Sequence, residues 1–332
     1  MQPVRLAFRA MATRFEFVLP GPDAPSLRAA GEEAMREVKR IEDRFNFYSP
    51  ASELSRLNRD AASAPVRCSG MMMRLLAACR DLHRQTGGHF DPTVAPALAA
   101  WGLRHQQDAG RVPSPEALEA LTDRIGMEHV DIDEQQRSVR FTREGIQLDL
   151  GGVAKGWALD EARLILEESG IECALLHGGT SAAVTIGTDP DGTPWKIGIE
   201  DPYDASETAS WLFAVPLESG ALSVSGVRGK SFVDASGETQ TEYGHVINPR
   251  TGHAVSGPRL ALAVSDSAAV CDAWSTALLA APDKPVADGV AGPIMGTAFL
   301  KTDSGWTVTA GSVHPSWTSP GALPSFPTSS DD

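Results

Sequence analysis

"LDLGGVAKGWALDEA", residues 148–162, joins two patterns that no single element can hold. Leu148 and Leu150, with Ile146 before them, alternate with polar residues as in a half-buried strand. Gly151 and Gly152 break the alternation. Ala154, Trp157, Ala158, Ala162, Ile165 and Leu166 then recur at helical steps, and Gly170 follows as a stop signal. A strand that turns through glycines into a helix leaves unpaired backbone N–H groups at the helix start, which is the geometry of an anion site. Lys155 adds a positive charge in the first turn, where the helix dipole disfavours it. The spacing is neither G-x-x-x-x-G-K-[ST] nor G-x-G-x-x-G. Two readings stay open on this stretch: a phosphate cradle, or a tight strand-to-helix turn with a solvated lysine.

On either side the chain mixes helices with alternating strands. Ala30, Ala34, Val38, Ile41 and Phe45 mark a helix over Ser26–Phe47, after a strand or two in residues 4–19. Ser52 reads as an N-cap with Glu53 in the first turn. "GMMMRLLAACRDLHRQTGG" is an apolar helix closed by Gly87 and Gly88, its methionines acting as core filler. "SPEALEALTDRIG" predicts a capped helix, and the segment from His129 to Leu150 predicts antiparallel strands. Short strands follow to Gly226, then a helix in "SDSAAVCDAWSTALLAA" and a closing hairpin around Asp303-Ser304-Gly305. This pattern predicts an α+β fold with mixed, largely antiparallel sheets. The last twenty residues, 313–332, are rich in Pro, Ser and Thr and predict a disordered tail beyond a folded unit of residues 1–312.

The 332 residues carry 29 Lys and Arg against 43 Asp and Glu, a formal charge of −14. Such a chain is a poor partner for nucleic acid, so any anionic ligand must be held by local features. Cys68, Cys79, Cys173 and Cys271 lie far apart and form no metal-binding spacing; they read as buried thiols. The first twenty residues hold three arginines and no long apolar run, so no signal peptide or membrane span is read and the chain is placed in the cytoplasm. A chain relieved of an export leader would read the same way.

Three further stretches carry chemistry. In "AVCDAWSTALLAA", Asp272 and Thr276 are four apart and share a helix face. A carboxylate and a hydroxyl are hard oxygen donors that suit Mg²⁺, and an Asp among apolar neighbours needs a partner. An Asp and a Thr on a helix are more often plain surface residues. In "YGHVINPRTGHAV", His245 is a candidate general base, though a lone histidine is more often structural. In "GGHFDPTVAPALAAWG", Asp91 reads either as part of a site or as a cap in a loop feeding a helix.

Taken in order, these motifs resemble the ApbE family of FAD:protein FMN transferases over roughly residues 8 to 312. Met11-Ala12-Thr13, "YSPASELSRLN", "TGGHFDPTVAPALAAWG", "LDLGGVAKGWALD", "GIEDP", "GHVINPRTG" and "CDAWSTAL" carry the resemblance. It implies a T-fold-like α+β architecture in which a large and a smaller domain enclose FAD. It also implies Mg²⁺-dependent transfer of FMN from FAD to a threonine or serine hydroxyl of an acceptor flavoprotein, with AMP leaving. The implied Mg²⁺ ligands are Asp272, Thr276 and the Ala154 carbonyl. Lys155, Gly151 and Gly152 would meet the FAD phosphates. Met11, Tyr48, Glu53, His89, Phe90, Asp91 and Ile247 would line the flavin and adenine sites, and His245 would be the base. The sequence departs from the family pattern at Ala12, Leu176, Thr180, Asn248 and "SGVRGKSF". Two alternatives use the same residues: an Mg²⁺-dependent FAD pyrophosphatase giving FMN and AMP, and an FAD-binding protein without turnover.

Overall fold

The computed structural model describes residues 2–105, 108–204, 211–237, 239–281, 295–302, 305–311, 314, 316 and 317. Strands β1 (Val4–Ala10) and β2 (Thr13–Leu19) form a hairpin whose two turn residues, Met11 and Ala12, both have positive φ, 51° and 59°. That is the turn whose twist matches a tight hairpin, and it is met here without glycine. Helix α1 (Ala24–Phe45) is capped by Asp23, which accepts from the Ser26 N–H, and buries Ala34, Val38, Ile41 and Phe45. Helix α2 (Glu53–Asp60) starts at the N-cap Ser52, and β3 (Val66–Arg67) leads to α3 (Gly70–Gln85), which buries Met72 and Met73. Helices α4 (Ala95–Ala100) and α5 (Pro115–Glu119) are short, so the helix predicted in "SPEALEALTDRIG" is one turn followed by a 3₁₀ turn at Thr122–Arg124.

Strands β4 (Val130–Asp133) and β5 (Ser138–Phe141) pair antiparallel. The strand predicted over Ile146–Leu150 is absent: the segment is extended and alternates in burial but joins no ladder. The Asn58 side chain takes the partner's place, donating to the Leu148 carbonyl at 2.9 Å and accepting from the Leu148 N–H at 2.8 Å. Helix α6 (Ala154–Glu168) follows, then β6 (Ala174–Gly178), β7 (Ala182–Ile186), β8 (Trp195–Glu200), β9 (Trp211–Leu217) and β10 (Ala221–Gly226). Strands β11 (Ser231–Asp234), β12 (Thr241–Ile247) and β13 (Ala254–Ser256) form a small sheet. Strand β14 (Arg259–Ser265), helix α7 (Ala268–Ala280), β15 (Met295–Thr302) and β16 (Gly305–Gly311) complete the described chain. The predicted turn at Asp303 and Ser304 lies outside the described residues.

The main sheet runs β1-β2-β6-β7-β10-β14-β15-β16 and every neighbouring pair in it is antiparallel. It has two halves of one pattern. In each, two paired strands lead into helix and return as a second pair: β1-β2 and β6-β7 around α1 and α6, β10-β14 and β15-β16 around α7. The apolar residues of α1, α6 and α7 join those of β1, β2, β6 and β7 in one core. A second core lies under β8 and β9, where Trp317 stacks on Phe213 with ring centroids 5.1 Å apart. Chain packing therefore continues past residue 312, and the rest of the predicted tail, from residue 318, lies outside the described residues. The four cysteines form no disulfide, and burial pushes the thiols of Cys68 and Cys271 up to about 11 and 12. No described helix is long and apolar enough to cross a membrane.

Candidate active site

A cleft of about 1070 Å³ opens against the main sheet, walled by β6, β8, β10, β12, the N-terminus of α6 and, further along its length, α7 at Asp272 and Thr276. Leu175 and His177 line it, while Leu176 between them is buried in the core, as strand alternation requires. Burial holds the His177 imidazole below its ordinary pKa, so it is neutral at physiological pH.

The floor of the cleft is the junction of α6 and α7. A Cβ on Gly156 would lie 2.1 Å from the Ala268 carbonyl oxygen, so only glycine lets the two helices approach this closely. Asp272, 3% exposed, reaches from α7 into the first turn of α6. Its Oδ2 accepts from the Gly156 N–H at 2.8 Å and lies 3.6 Å from the Lys155 Nζ. Its Oδ1 accepts from the Ser223 hydroxyl at 2.5 Å. Behind Ser223, the hydroxyls of Ser225 and Ser275 meet at 2.8 Å. The buried carboxylate is thus hydrogen-bonded and paired, the condition on which such a charge is tolerated. Thr276, one turn on, lines the same floor; a Cβ on Gly152 would come within 3.3 Å of its Oγ1.

The exchange runs in both directions. Asp160 of α6 accepts from the Ala268 N–H at 2.8 Å, the Ala269 N–H at 3.0 Å and the Ser267 hydroxyl at 2.7 Å. Helix α7 therefore has its own N-cap, Ser267, and a carboxylate from α6 besides. Helix α6 has no side-chain cap of its own at Val153 and receives Asp272 instead. Burial raises the Asp160 pKa against the lowering effect of its hydrogen bonds.

His245, on β12, is open to the cleft and enclosed by its walls. That enclosure, then the charges of Lys230 and Lys155, lower its pKa to about 4. Its Nδ1 lies 3.3 Å from the Lys230 carbonyl. A carbonyl can only accept, so Nδ1 carries the proton and Nε2 is the basic nitrogen. The Lys230 Nζ donates to the Arg104 carbonyl at 2.9 Å, as does the Tyr48 hydroxyl at 2.5 Å, and the Arg104 guanidinium lies 4.2 Å from the Phe47 ring centroid. Burial lowers the Lys230 pKa, with Asp149 and Asp108 opposing.

The profile of the ApbE family matches residues 11–291. The chain belongs to the ApbE family. Among relatives of this ApbE chain, an FAD:protein FMN transferase of Vibrio cholerae is 27% identical over 310 residues, 92% of this chain and 90% of the relative. The Escherichia coli K12 protein of the same name is 25% identical over 274 residues, 82% of this chain and 76% of that one. The solved ApbE protein of Thermotoga maritima superposes with a TM-score of 0.79 at 27% identity, covering 93% of this chain and 97% of the other. The flavin transferase ApbE of Vibrio cholerae gives 0.76 at 26% identity, covering 94% and 97%.

Within the ApbE chain, the structure brings Met11, Tyr48, His89, Phe90, Asp91, Gly151, Gly152, Ala154, Lys155, His245, Ile247, Asp272 and Thr276 to one cleft. Glu53, expected beside the flavin, does not line it. Its carboxylate accepts from the Ser69 N–H at 2.5 Å and the Ser69 hydroxyl at 2.8 Å and pairs with Arg44 at 2.7 Å, tying α1 and α2 to the start of α3. Asp91 touches the cleft, but its oxygens face inward, accepting from the Thr93 N–H and hydroxyl at 2.8 and 2.5 Å and the Met127 N–H at 3.2 Å. The predicted N–H cradle is largely taken by the protein: Gly151 donates to Asp149 at 2.7 Å, Ala154 to the Leu150 carbonyl at 2.8 Å, and Gly156 to Asp272. Met11 donates its N–H to Glu42 at 2.5 Å.

Two departures have local reasons. Leu176 faces the core, where an apolar residue belongs. Asn248 accepts from the Arg250 N–H at 3.0 Å and donates to the Ala280 carbonyl at 3.1 Å, so its amide ties the β12–β13 turn to the C-terminus of α7; an Asp could not donate. Thr180 lines the cleft, and nothing else in the structure explains it. Ser223, Lys230, Arg104, His177 and Asp160 were not singled out from sequence. For Ser223 and Ser225 the signal was two hydroxyls spaced by two on a strand otherwise reading as core.

Proposed function

We propose that this chain transfers FMN from FAD to a threonine or serine hydroxyl of an acceptor protein and releases AMP. The observation that carries the reading is the meeting, at the floor of a dinucleotide-sized cleft, of Lys155 and Asp272, whose segments are joined by a hydrogen bond spanning 116 positions. Lys155 and Lys230 supply positive potential where the phosphates must lie, in a chain that is negative overall. The acceptor hydroxyl is a poor nucleophile until its proton is taken as it attacks. His245 fits that role: it is neutral at working pH, its Nδ1 proton is held by the Lys230 carbonyl, and its basic Nε2 is left for the incoming proton. A bond forms from the acceptor oxygen to the FMN phosphorus, the bridging bond to AMP breaks, and AMP carries away the electron pair.

The donors Asp272, Thr276 and the Ala154 carbonyl are all hard oxygens on one floor and fit Mg²⁺. Bound there, Mg²⁺ would neutralise charge on the diphosphate and on departing AMP. The described residues contain no cluster of three or more His, Cys, Asp or Glu, so this donor set carries one formal charge and suits an ion shared with phosphate oxygens.

Incubation with FAD and Mg²⁺, with and without a threonine-bearing acceptor protein, tests the reading. The acceptor should gain the mass of FMN, with AMP in equal amount. AMP release that proceeds equally without acceptor, with no mass gained, would make the chain a pyrophosphatase; no AMP at all would make it a binding protein. Lys155→Ala should slow transfer by about 10²–10³.

A further inference from the structure

Asp272 is the one charged donor of the proposed divalent-ion site, and its charge is already answered. The Gly156 N–H and Ser223 hydroxyl occupy one lone pair on each oxygen, and the Lys155 ammonium stands 3.6 Å from Oδ2. The Asp272 side chain is 3% exposed and that of Lys155 24%, so water screens this pair weakly. Lys230, whose charge like that of Lys155 acts on His245, adds further positive charge to the cleft. A divalent ion entering alone would meet a carboxylate already neutralised by an ammonium and would leave a large uncompensated positive charge in a desolvated floor. A dinucleotide brings two negative charges on its diphosphate and reverses that balance.

We propose that Lys155 is the resident counter-ion of Asp272, and that it makes cation and dinucleotide bind jointly. Lys155 turns from Asp272 to the diphosphate, and Asp272 is then released to coordinate the cation. In the chain without dinucleotide the ammonium guards the carboxylate. The coupling is reciprocal, because each ligand removes the charge that opposes the other. This inference rests on the divalent-ion site proposed above.

Mn²⁺ binding to the full chain, read from the electron paramagnetic resonance of free Mn²⁺, tests it in three conditions: no flavin, riboflavin, and FAD. Binding of Mn²⁺ by FAD in solution is subtracted, and chromatography confirms that FAD stays intact. FAD should tighten Mn²⁺ binding by on the order of tenfold or more, within the usual range of coupling between sites. Mn²⁺ should tighten FAD binding, read by flavin fluorescence, by the same factor. Riboflavin, which has no phosphate, should leave Mn²⁺ binding unchanged. Lys155→Met should raise flavin-free Mn²⁺ affinity by on the order of tenfold and shrink the coupling. Equal Mn²⁺ affinity with and without FAD, an equal effect of riboflavin, or a folded K155M variant no better at binding Mn²⁺ alone would each overturn the inference; the wild-type arms decide it even if the variant does not fold. Asp272→Asn separates the two layers. If D272N binds Mn²⁺ with FAD as the wild type does, the divalent-ion assignment itself is wrong. If D272N loses the ion but the wild type shows no coupling, the site stands and only the counter-ion role falls.

Discussion

Helices α6 and α7 each lend a carboxylate to the other's N-terminus, and the two ends have opposite characters. At the start of α7, Asp160 meets two backbone N–H groups and a hydroxyl, with Ser267 as a cap on the same turn. Every hydrogen-bond partner is neutral and fixed, the one charge acting on Asp160 is that of Arg163 on its own helix, and the end does not line the cleft. At the start of α6, Asp272 meets one N–H, one hydroxyl and a lysine whose charge can move. That end forms the floor of the cleft. One exchange is closed and structural, and its counterpart is open and able to trade partners. A helix N-terminus favours an anion in either case; whether it serves stability or chemistry depends on whether the anion's partner has somewhere else to go.

Asp272→Ala tests the open end and should have the largest effect. Transfer should fall by about 10²–10³, since Lys155 loses its anchor and the proposed ion its one charged donor. Asp160→Ala should instead lower stability while any folded protein still transfers. Mass spectrometry of the acceptor and urea unfolding of both variants give the two readouts; a reversed pattern, with D160A the worse for chemistry, would break the distinction between the ends.

Gly156→Ala attacks both ends together. Its Cβ would sit inside the Ala268 carbonyl, and backbone cannot swing aside as a side chain can. The helices must part, and overpacking of this severity costs at or above about 3 kcal/mol. Loss of a carboxylate cap in Asp160→Ala is the milder injury, about 1–2 kcal/mol. Unfolding midpoints should rank G156A below D160A, and a G156A protein as stable as the parent would show that the helices do not need this contact.

Much of this was legible in the chain, and the losses share a cause. The spacing of Asp272 and Thr276 placed them on one helix face, and the position of Lys155 against the helix dipole left open a solvated lysine or one held for a ligand, with no protein partner named for it. That partner lay in a distant segment, and period and propensity carry no information about it. Asp160 passed unnoticed because a helix-interior Asp looks solvated until another helix end arrives against it. Residues 146–150 read as a strand because burial alternates there, but alternation reports which faces are covered and not what answers the backbone; a side-chain amide answers it here. Glu53 was placed in the first turn of α2, yet the N-terminus it serves across the gap is that of α3. The antiparallel character of the sheets follows from short strands joined by turns and was readable, whereas the order of the strands in the ladder was not.

A third carboxylate sharpens the comparison at its weakest point. Asp91 resembles Asp160 in facing backbone and hydroxyl donors, but it also holds His83, whose Nδ1 lies 3.2 Å from its Oδ2. Burial pulls the His83 pKa down; the hydrogen bond and charge of Asp91, with the Phe90 carbonyl and Glu128, outweigh it, and the net shift is upward from 6.5. The folded state therefore holds a proton that the unfolded chain releases first. That stability is fully present below about pH 6.5, the unfolded value, and is lost as pH rises through the folded pKa. Unfolding free energy should decline from pH 6 to pH 8 more steeply in the wild type than in His83→Gln, and the difference between the two curves isolates this pair from other titrating groups. Phe90 and Asp91 line the cleft, so the same clamp loosens at the cleft wall as pH rises. Parallel curves would place Asp91 with Asp160, as a carboxylate whose partners are fixed, and leave Asp272 the one of the three whose partner can change.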